Sequence, residues 1–331
     1  MAQEALFYET LDQGRVKCWL CPHHCLIRAG QHGLCRSRIN KNGQLIAINY
    51  AEVASLALDP IEKKPLYHFY PGKNILSAGT FGCNLFCGFC QNHTLAHGQP
   101  ATQSIEPQQL ADLAWNSCKY DSIGLAFTYN EPTIWYEYIL DTARLLKEKD
   151  LKVVLVSNGY IEDEPLKRLL PYLDAMNIDV KAFKQDLYKK LCRASLEQVM
   201  NTVEQAAFHC HVEITTLIIP NENDDLQEIR EMSKWLAGIN PHIPLHLSRY
   251  HPAYKFQREA TPARTLEEAR QVALEYLKYV FIGNLSGPDN NSYCPDCEAL
   301  LIKRDGYYTQ ITGLDQGRCK ACGQEISYLL S

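Results

Sequence analysis

The stretch Gly79–His93 reads GTFGCNLFCGFCQNH and brings Cys83, Cys87 and Cys90 together at the spacing C-x3-C-x2-C. It directly follows Ile75–Ala78, a short apolar run that predicts a buried strand. The three thiols therefore fall in a loop at the carboxyl end of a strand. Barrels of parallel strands and helices place their chemistry at that end. We expect an α/β protein whose functional site contains these cysteines.

Three closely spaced thiols indicate a metal or cluster site. A cubane 4Fe–4S cluster has four irons, so Cys83, Cys87 and Cys90 would leave one iron open to a substrate or cofactor. The alternatives are three incidental thiols or a three-thiolate zinc site, because the spacing alone does not determine the metal.

Composition narrows the class of protein. The chain has 331 residues, 46% of them hydrophobic, and a formal net charge of −5, which argues against disorder and makes nucleic-acid binding through overall charge unexpected. No run of about 18 apolar residues occurs, so we predict no membrane span. The segment Met1–Arg15 lacks the basic-then-apolar order of a signal peptide. We therefore expect a cytoplasmic protein, in which cysteines stay reduced.

From residue 74 to 283, short β-rich runs alternate with amphipathic helical stretches. This pattern predicts a partial (β/α)6 TIM-like barrel, because the units are too few for a closed eight-stranded one. The predicted strands are Ile75–Ala78, Ile123–Thr128, Lys152–Ser157, Ala175–Val180, Val212–Ile219 and Pro244–Leu247, with Tyr279–Gly283 as a seventh candidate. The predicted helices are Pro107–Tyr120, Thr133–Lys149, Leu196–Cys210, Asp225–Leu236 and Leu266–Lys278.

Cysteine-rich segments flank the barrel pattern and divide the chain into an N-terminal extension (1–70), the barrel (71–286) and a C-terminal domain (287–331). The N-terminal group consists of Cys18, Cys21, Cys25 and Cys35. Four thiolates suit either zinc or an auxiliary 4Fe–4S cluster. We favour zinc at these four cysteines, because electron relay through a cluster is the less common function of such a group.

At the C-terminus, Cys294 and Cys297 form one C-x2-C pair, and Cys319 and Cys322 form another. Two such pairs around a predicted hairpin indicate a zinc ribbon, with rubredoxin-like iron as the alternative. The ribbon carries little basic charge, so we expect a structural or protein-docking role.

The central loop resembles that of the radical SAM superfamily, whose motif is C-x3-C-x-aromatic-C with Phe89 in the aromatic position. The resemblance implies a 4Fe–4S cluster on Cys83, Cys87 and Cys90. Its open iron would bind S-adenosylmethionine (SAM), and Phe89 would pack near the adenine. Reductive cleavage of SAM would then give a 5′-deoxyadenosyl radical that takes hydrogen from a substrate. The implied fold is the partial barrel of this superfamily.

The same resemblance implies further SAM contacts, each near a predicted strand end. Glu131 matches the acid of the superfamily's Gly-Gly-Glu-Pro site, although Tyr129 and Asn130 replace its glycines. Without the resemblance, each of these residues would be interpreted as a helix start, a turn, a surface ion pair or a loop histidine. The implied SAM-binding residues are Glu131, Ser157, Asn158, Asp179, Lys181 and His251.

Longer runs, including CWLCPHHC at Cys18–Cys25 and DPIEKKPLYHF at Asp59–Phe69, resemble the AmmeMemoRadiSam system radical SAM enzymes. That family is similar to the activating enzymes of pyruvate formate-lyase and other glycyl-radical enzymes. The sequence therefore predicts an oxidoreductase-like radical SAM enzyme with iron–sulfur and zinc sites. Its substrate is unidentified, a protein substrate is an option, and a flavodoxin or ferredoxin is the expected reductant. The alternatives are a glycyl-radical activating enzyme and a nonenzymatic zinc and iron–sulfur protein that binds nucleic acid.

Overall fold

The computed structural model describes residues 3–330, and its centre is an eight-stranded sheet. Neighbouring strands follow chain order, and all pairs are parallel except the first, which is antiparallel. The outer two strands have a partner on one side only, so the sheet is an open, partial barrel, as predicted. Its strands are β1 (Ser55–Pro60), β2 (Asn74–Gly79), β3 (Ser122–Phe127), β4 (Lys152–Ser157), β5 (Ala175–Asp179), β6 (His211–Ile218), β7 (Leu245–Arg249) and β8 (Val280–Gly283).

Helices connect the parallel strands, and none in residues 3–330 is long and apolar enough to cross a membrane. The five predicted helices are present with shifted ends. The α-helices are α1 (His93–His97), α2 (Pro107–Asn116), α3 (Tyr136–Glu148), α4 (Asp163–Leu169), α5 (Gln185–Cys192), α6 (Leu196–Ala207), α7 (Leu226–Ile239) and α8 (Ala263–Leu274). Short 3-10 helices cover Asp12–Gly14, Ile61–Lys63, Ser117–Tyr120, Pro132–Trp135 and Leu170–Tyr172.

Local sequence explains why these elements form. In α3, Tyr136, Ile139, Ala143 and Leu146 recur at helical spacing and are all buried, so one face packs on the sheet. A capping box starts α2, in which the Glu106 backbone N–H donates to Gln109 Oε1 at 2.9 Å. The strands β2 and β3 are buried along almost their whole length, as parallel strands with both faces covered must be.

Of the two edge strands of the sheet, the sequence predicted one and missed the other. The seventh predicted run is confirmed as β8, which pairs with β7. Strand β1 was missed, because its leucines, Leu56 and Leu58, are exposed while Asp59 is buried, and because the Asp59-Pro60 end is typical of a turn. Its antiparallel pairing with β2 extends from Ser55 to Pro60. The central sheet therefore begins inside the segment that we assigned to the N-terminal extension.

A buried carboxylate organises the amino-terminal end of the barrel. Glu213 of β6 is fully buried and accepts hydrogen bonds from the backbone N–H groups of Tyr67 and His68 at 2.9 and 2.7 Å. The Nε2 atoms of His211 and His246 lie 2.9 and 2.6 Å from its two oxygens. Burial raises the pKa of Glu213, but the hydrogen bonds from His211 and His246 outweigh it and hold the pKa well below its usual range. We call these five residues the floor cluster.

The N-terminal extension is joined to the barrel by a buried ion pair. Arg38 Nη2 lies 2.7 Å from Glu137 Oε1 and 2.8 Å from Oε2, and both side chains are almost completely buried. Glu137 belongs to α3, so the pair links the extension to a barrel helix. The extension itself consists of two small antiparallel sheets, one of Gln3–Glu4, Arg38–Lys41 and Gln44–Ala47 and one of Tyr8–Thr10, Val16–Cys18 and Leu26–Ile27. A further two-residue strand, Glu52–Val53, pairs with Gln103–Ser104.

The C-terminal domain packs against the floor cluster. It contains a sheet of Ser292–Tyr293, Leu300–Asp305 and Tyr308–Ile311 and a hairpin of Leu314–Asp315 and Arg318–Cys319, so the predicted hairpin is present. Arg304 Nη2 donates to the Tyr67 carbonyl at 2.6 Å, and the guanidinium lies 4.7 Å from the Tyr67 ring centre. Burial lowers the pKa of Arg304 to about 10.

Candidate active site

One cavity of about 260 Å³ contains all three cysteines of the central loop. It lies at the carboxyl ends of the parallel strands, where successive strands each contribute a polar residue to its wall. In order from β3 to β8, these are Glu131, Asn158, Asp179, Thr215, Ser248 and Asn284. The cavity is therefore the place where the whole barrel converges on the cysteine loop.

The cysteine loop is fastened to the loop that follows β3. Asn130 Oδ1 accepts a hydrogen bond from the Thr80 backbone N–H at 3.0 Å, and its Nδ2 donates to the Gly82 carbonyl at 3.0 Å. Tyr129 has a φ of +73°, the left-handed conformation that glycine adopts without strain. Its hydroxyl donates to Asp59 at 2.5 Å. Tyr129 thus keeps a backbone conformation typical of glycine, which costs about 1–3 kcal/mol for any other residue. The hydrogen bond from its side chain to Asp59 holds this conformation in place.

Glu131 lines the cavity and is 2% exposed. Its Oε1 accepts from the Thr133 backbone N–H and from Ser157 Oγ, both at 2.8 Å, and its Oε2 accepts from the Asn158 backbone N–H at 2.8 Å. Burial raises the pKa of Glu131, and these donors oppose that effect. The carboxylate caps the Pro132–Trp135 turn and is held rigidly at the cavity wall.

Asp179, Lys181, Asn158 and Phe89 all line the same cavity. Lys181 Nζ lies 2.8 Å from Asp179 Oδ2. Burial works against the charge on Lys181, but Asp179 and the nearby thiolate of Cys87 raise its pKa well above the usual value. Asn158 Nδ2 lies 3.8 Å from Cys83 Sγ. The cavity therefore presents an ammonium, a carboxylate and an amide beside the thiols.

Two residues predicted to contact SAM do not line this cavity. Ser157 does not line the cavity; its hydroxyl points to Glu131 and so positions that carboxylate. His251 is exposed, and its Nε2 lies 3.4 Å from the Asn284 carbonyl, outside the cavity wall. The sequence analysis missed Ser248 and Asn284, which line the cavity from β7 and the end of β8. Only their position at strand ends could have indicated them.

The two outer cysteine groups differ in geometry. Cys294 and Cys322 have sulfurs 3.7 Å apart, as do Cys297 and Cys319, and all four sulfurs lie within 4.8 Å of one another. Thiolates bound to one tetrahedral ion at about 2.3 Å are separated by about this distance. Cys18, Cys21, Cys25 and Cys35 instead line a narrow cavity in the N-terminal extension. Within the described residues they do not form such a tight group.

A second cavity, of about 670 Å³, lies in the gap between the two edges of the open barrel. Glu62 and Lys63, which follow β1, form one side, and Ile282 of β8 forms another. Arg304 and Asp305 of the C-terminal domain contribute to the wall. Ser248 and Asn284 line both cavities, so the cysteine cavity and the side cavity are neighbours.

Comparison with known proteins agrees with this geometry. Residues 78–235 match the model of the radical SAM superfamily. An uncharacterized protein of Methanocaldococcus jannaschii is 44% identical over 99% of this chain and 100% of its own length. The pyruvate formate-lyase-activating enzyme of Clostridium pasteurianum is 22% identical over 51% of this chain and 72% of its own. The crystal structure of Streptococcus suis SuiB bound to S-adenosylmethionine has a TM-score of 0.52 and 13% identity, covering 67% of this chain and 52% of that one.

This chain belongs to the radical SAM superfamily. Members of the superfamily are enzymes, so the predicted enzyme class is confirmed and a nonenzymatic role is wrong. Membership implies a 4Fe–4S cluster and SAM. The cavity fits both, because three thiols line it beside charged and amide groups that can bind an amino acid moiety.

Proposed function

We propose that this protein cleaves SAM at a 4Fe–4S cluster held by Cys83, Cys87 and Cys90, and that the resulting radical takes hydrogen from a polar substrate. One observation carries the proposal: the three thiols share a single cavity with polar side chains from six successive strands. When bound, the cluster and SAM supply reductive carbon–sulfur bond cleavage.

The protein's own residues would bind and orient SAM. Glu131 offers a carboxylate that Ser157 and two backbone N–H groups hold in place, so it can receive the SAM ammonium without reorganising. The Asp179–Lys181 pair and Asn158 would contact the remaining polar groups of SAM. Phe89 is 4% exposed and packs edge-to-face on Phe256, which gives an apolar wall for the adenine.

The substrate would reach this site through the gap between β1 and β8. The side cavity there adjoins the cysteine cavity at Ser248 and Asn284. Its wall carries Glu62, Lys63 and Asp305, so a substrate with polar or charged groups fits better than an apolar one. Electrons would come from a reductant protein such as a flavodoxin or ferredoxin.

Zinc is the metal we propose for Cys294, Cys297, Cys319 and Cys322. Sulfur pairs 3.7 Å apart match a single tetrahedral ion. The domain buries Cys294 and Cys319 in a small apolar cluster with Leu301, Ile302 and Ile326. Because this apolar core is small, the bound ion would supply much of the stability of the domain.

Activation of a glycyl-radical enzyme is the second candidate. It is supported by the similarity to the pyruvate formate-lyase-activating enzyme of Clostridium pasteurianum, and a protein segment would then occupy the side cavity. A glycyl-radical signal in a co-purified protein after incubation with SAM and reductant would distinguish this function from action on a small molecule.

Anaerobic protein with dithionite and SAM tests the main proposal. We expect 5′-deoxyadenosine and methionine in equal amounts from the wild type. Cys87→Ala should form neither product, and Cys118→Ala should behave as wild type, because Cys118 is exposed and outside the three cysteine groups. Equal product formation by Cys87→Ala would refute the assignment of the cavity as the SAM site.

A further inference from the structure

The N-terminal cysteines have an arrangement that suits a larger group than a single metal ion. Cys18 and Cys25 are neighbours across a strand pair, since the Cys18 N–H donates to the Cys25 carbonyl at 3.0 Å. Together with Cys21 and Cys35 they face a common cavity. In the part of the chain that the structure describes, no three of their sulfurs lie within 4.8 Å of one another.

Two other cysteine groups in the same protein provide the comparison. The C-terminal four converge to ion-binding distances, whereas Cys83, Cys87 and Cys90 line a cavity without converging within the described residues. In a cubane cluster four separate irons hold the thiolates, so their sulfurs stand farther apart than around one ion. The N-terminal group therefore shares two features with the cluster loop, a cavity lined by its cysteines and sulfurs that do not converge to ion-binding distances, and differs from the four-thiol ion site.

A buried donor lacks a partner at this cavity. Arg38 lines it, is 1% exposed, and has an Nε atom without a hydrogen-bond partner within the described residues. A buried N–H left unpaired costs about 1–3 kcal/mol. A sulfide or thiolate of a bound cluster in this cavity would accept a hydrogen bond from this Nε–H group, while the Nη2 atom of Arg38 stays paired with Glu137.

The cavity also adjoins the SAM-cluster loop. A Cβ atom on Gly82 would lie 2.5 Å from the Cys35 carbonyl oxygen, so only glycine permits this close approach. His23 Nε2 lies 2.7 Å from the Asn84 carbonyl oxygen. The residues before and after Cys83 thus both contact the N-terminal cysteine segment.

We propose that Cys18, Cys21, Cys25 and Cys35 bind a second iron–sulfur cluster, of the 4Fe–4S type with four protein ligands, against the loop that carries Cys83. This assignment replaces the zinc that we favoured from the sequence. It does not depend on the substrate of the enzyme.

Metal and sulfide analysis of the full chain tests the proposal. In the variant Cys83→Ala/Cys87→Ala/Cys90→Ala, anaerobically reconstituted, we expect about four irons and four acid-labile sulfides per chain, with the Mössbauer signature of a cubane cluster. The variant Cys21→Ser/Cys25→Ser should retain a cluster whose spectrum changes on addition of SAM. Circular dichroism and gel filtration verify folding, and Cys118→Ser serves as the matched control.

The wild type gives an independent readout if either variant misfolds. We expect about eight irons per chain, of which half respond to SAM. Four irons in the wild type, all responsive to SAM, would overturn the proposal. So would a triple variant that contains no sulfide and a second equivalent of zinc.

Discussion

Replacing Glu213 by glutamine should destabilise the protein by about 1–3 kcal/mol, the cost of leaving a buried hydrogen-bond donor unpaired. Each carboxylate oxygen of Glu213 receives one backbone donor and one histidine donor. A glutamine keeps one oxygen and turns its NH2 group toward the other pair. A histidine can switch tautomer to accept from that NH2, but a backbone N–H cannot. At least one of the Tyr67 and His68 N–H groups is therefore left unpaired.

The assay is urea unfolding of anaerobic holoprotein, monitored by the fluorescence of the four tryptophans. The matched control is Glu268→Gln, which breaks an exposed pair with Arg264 and should change the free energy of unfolding by less than about 1 kcal/mol. A loss below about 1 kcal/mol in Glu213→Gln, with an unchanged denaturant slope, would show that the carboxylate does not organise the floor cluster.

The remaining predictions concern the metal sites, SAM and pH. Cys87→Ala should lose about four irons and keep the metal of the C-terminal four-thiol group, as elemental analysis can show. Glu131→Gln should weaken SAM binding by about 1–3 kcal/mol in anaerobic equilibrium dialysis; unchanged affinity would limit Glu131 to its structural contacts. The free energy of unfolding should fall as pH drops from about 7.5 to 5.5, because burial lowers the pKa of His68 and only the unfolded chain then takes up the proton. The free energy of unfolding should continue to fall below about pH 4.5, where the stability that comes from the depressed pKa of Glu213 is lost. The variant His68→Gln should flatten this pH profile only between about pH 7.5 and 5.5.

The sequence predicted the barrel well because its strands are short, apolar and separated by helices with clear periodicity. Runs such as Lys152–Ser157 coincide with the observed strand at both ends. Strand β1 escaped detection because its burial does not follow its polarity: Leu56 and Leu58 are exposed, whereas Asp59 is buried. Pairing between distant segments decided its state.

The site was predictable where a motif carries the chemistry. Cys83, Cys87, Cys90 and Glu131 follow from spacing and resemblance, and the structure brings them into one cavity. Partners from distant segments were not predictable. Nothing near Glu213 in the sequence indicates that Tyr67 and His68 will donate to it. Likewise, only the structure explains why Tyr129 stands where the superfamily motif has glycine: its hydroxyl donates to Asp59.

The position of Arg304 has a consequence for the order in which the protein is made. Its guanidinium reaches the Tyr67 carbonyl across 237 residues of chain, and the Tyr328 hydroxyl donates to the Val212 carbonyl at 2.7 Å. A growing chain on the ribosome would have formed all eight strands of the open barrel before either contact could be made. The floor cluster can therefore form its contacts with the C-terminal domain only after the rest of the chain has been made. Contacts between residues so distant in sequence slow folding. Metal binding at the C-terminal four-thiol group would accordingly be a late folding step. It would stabilise the end of the barrel opposite the SAM site.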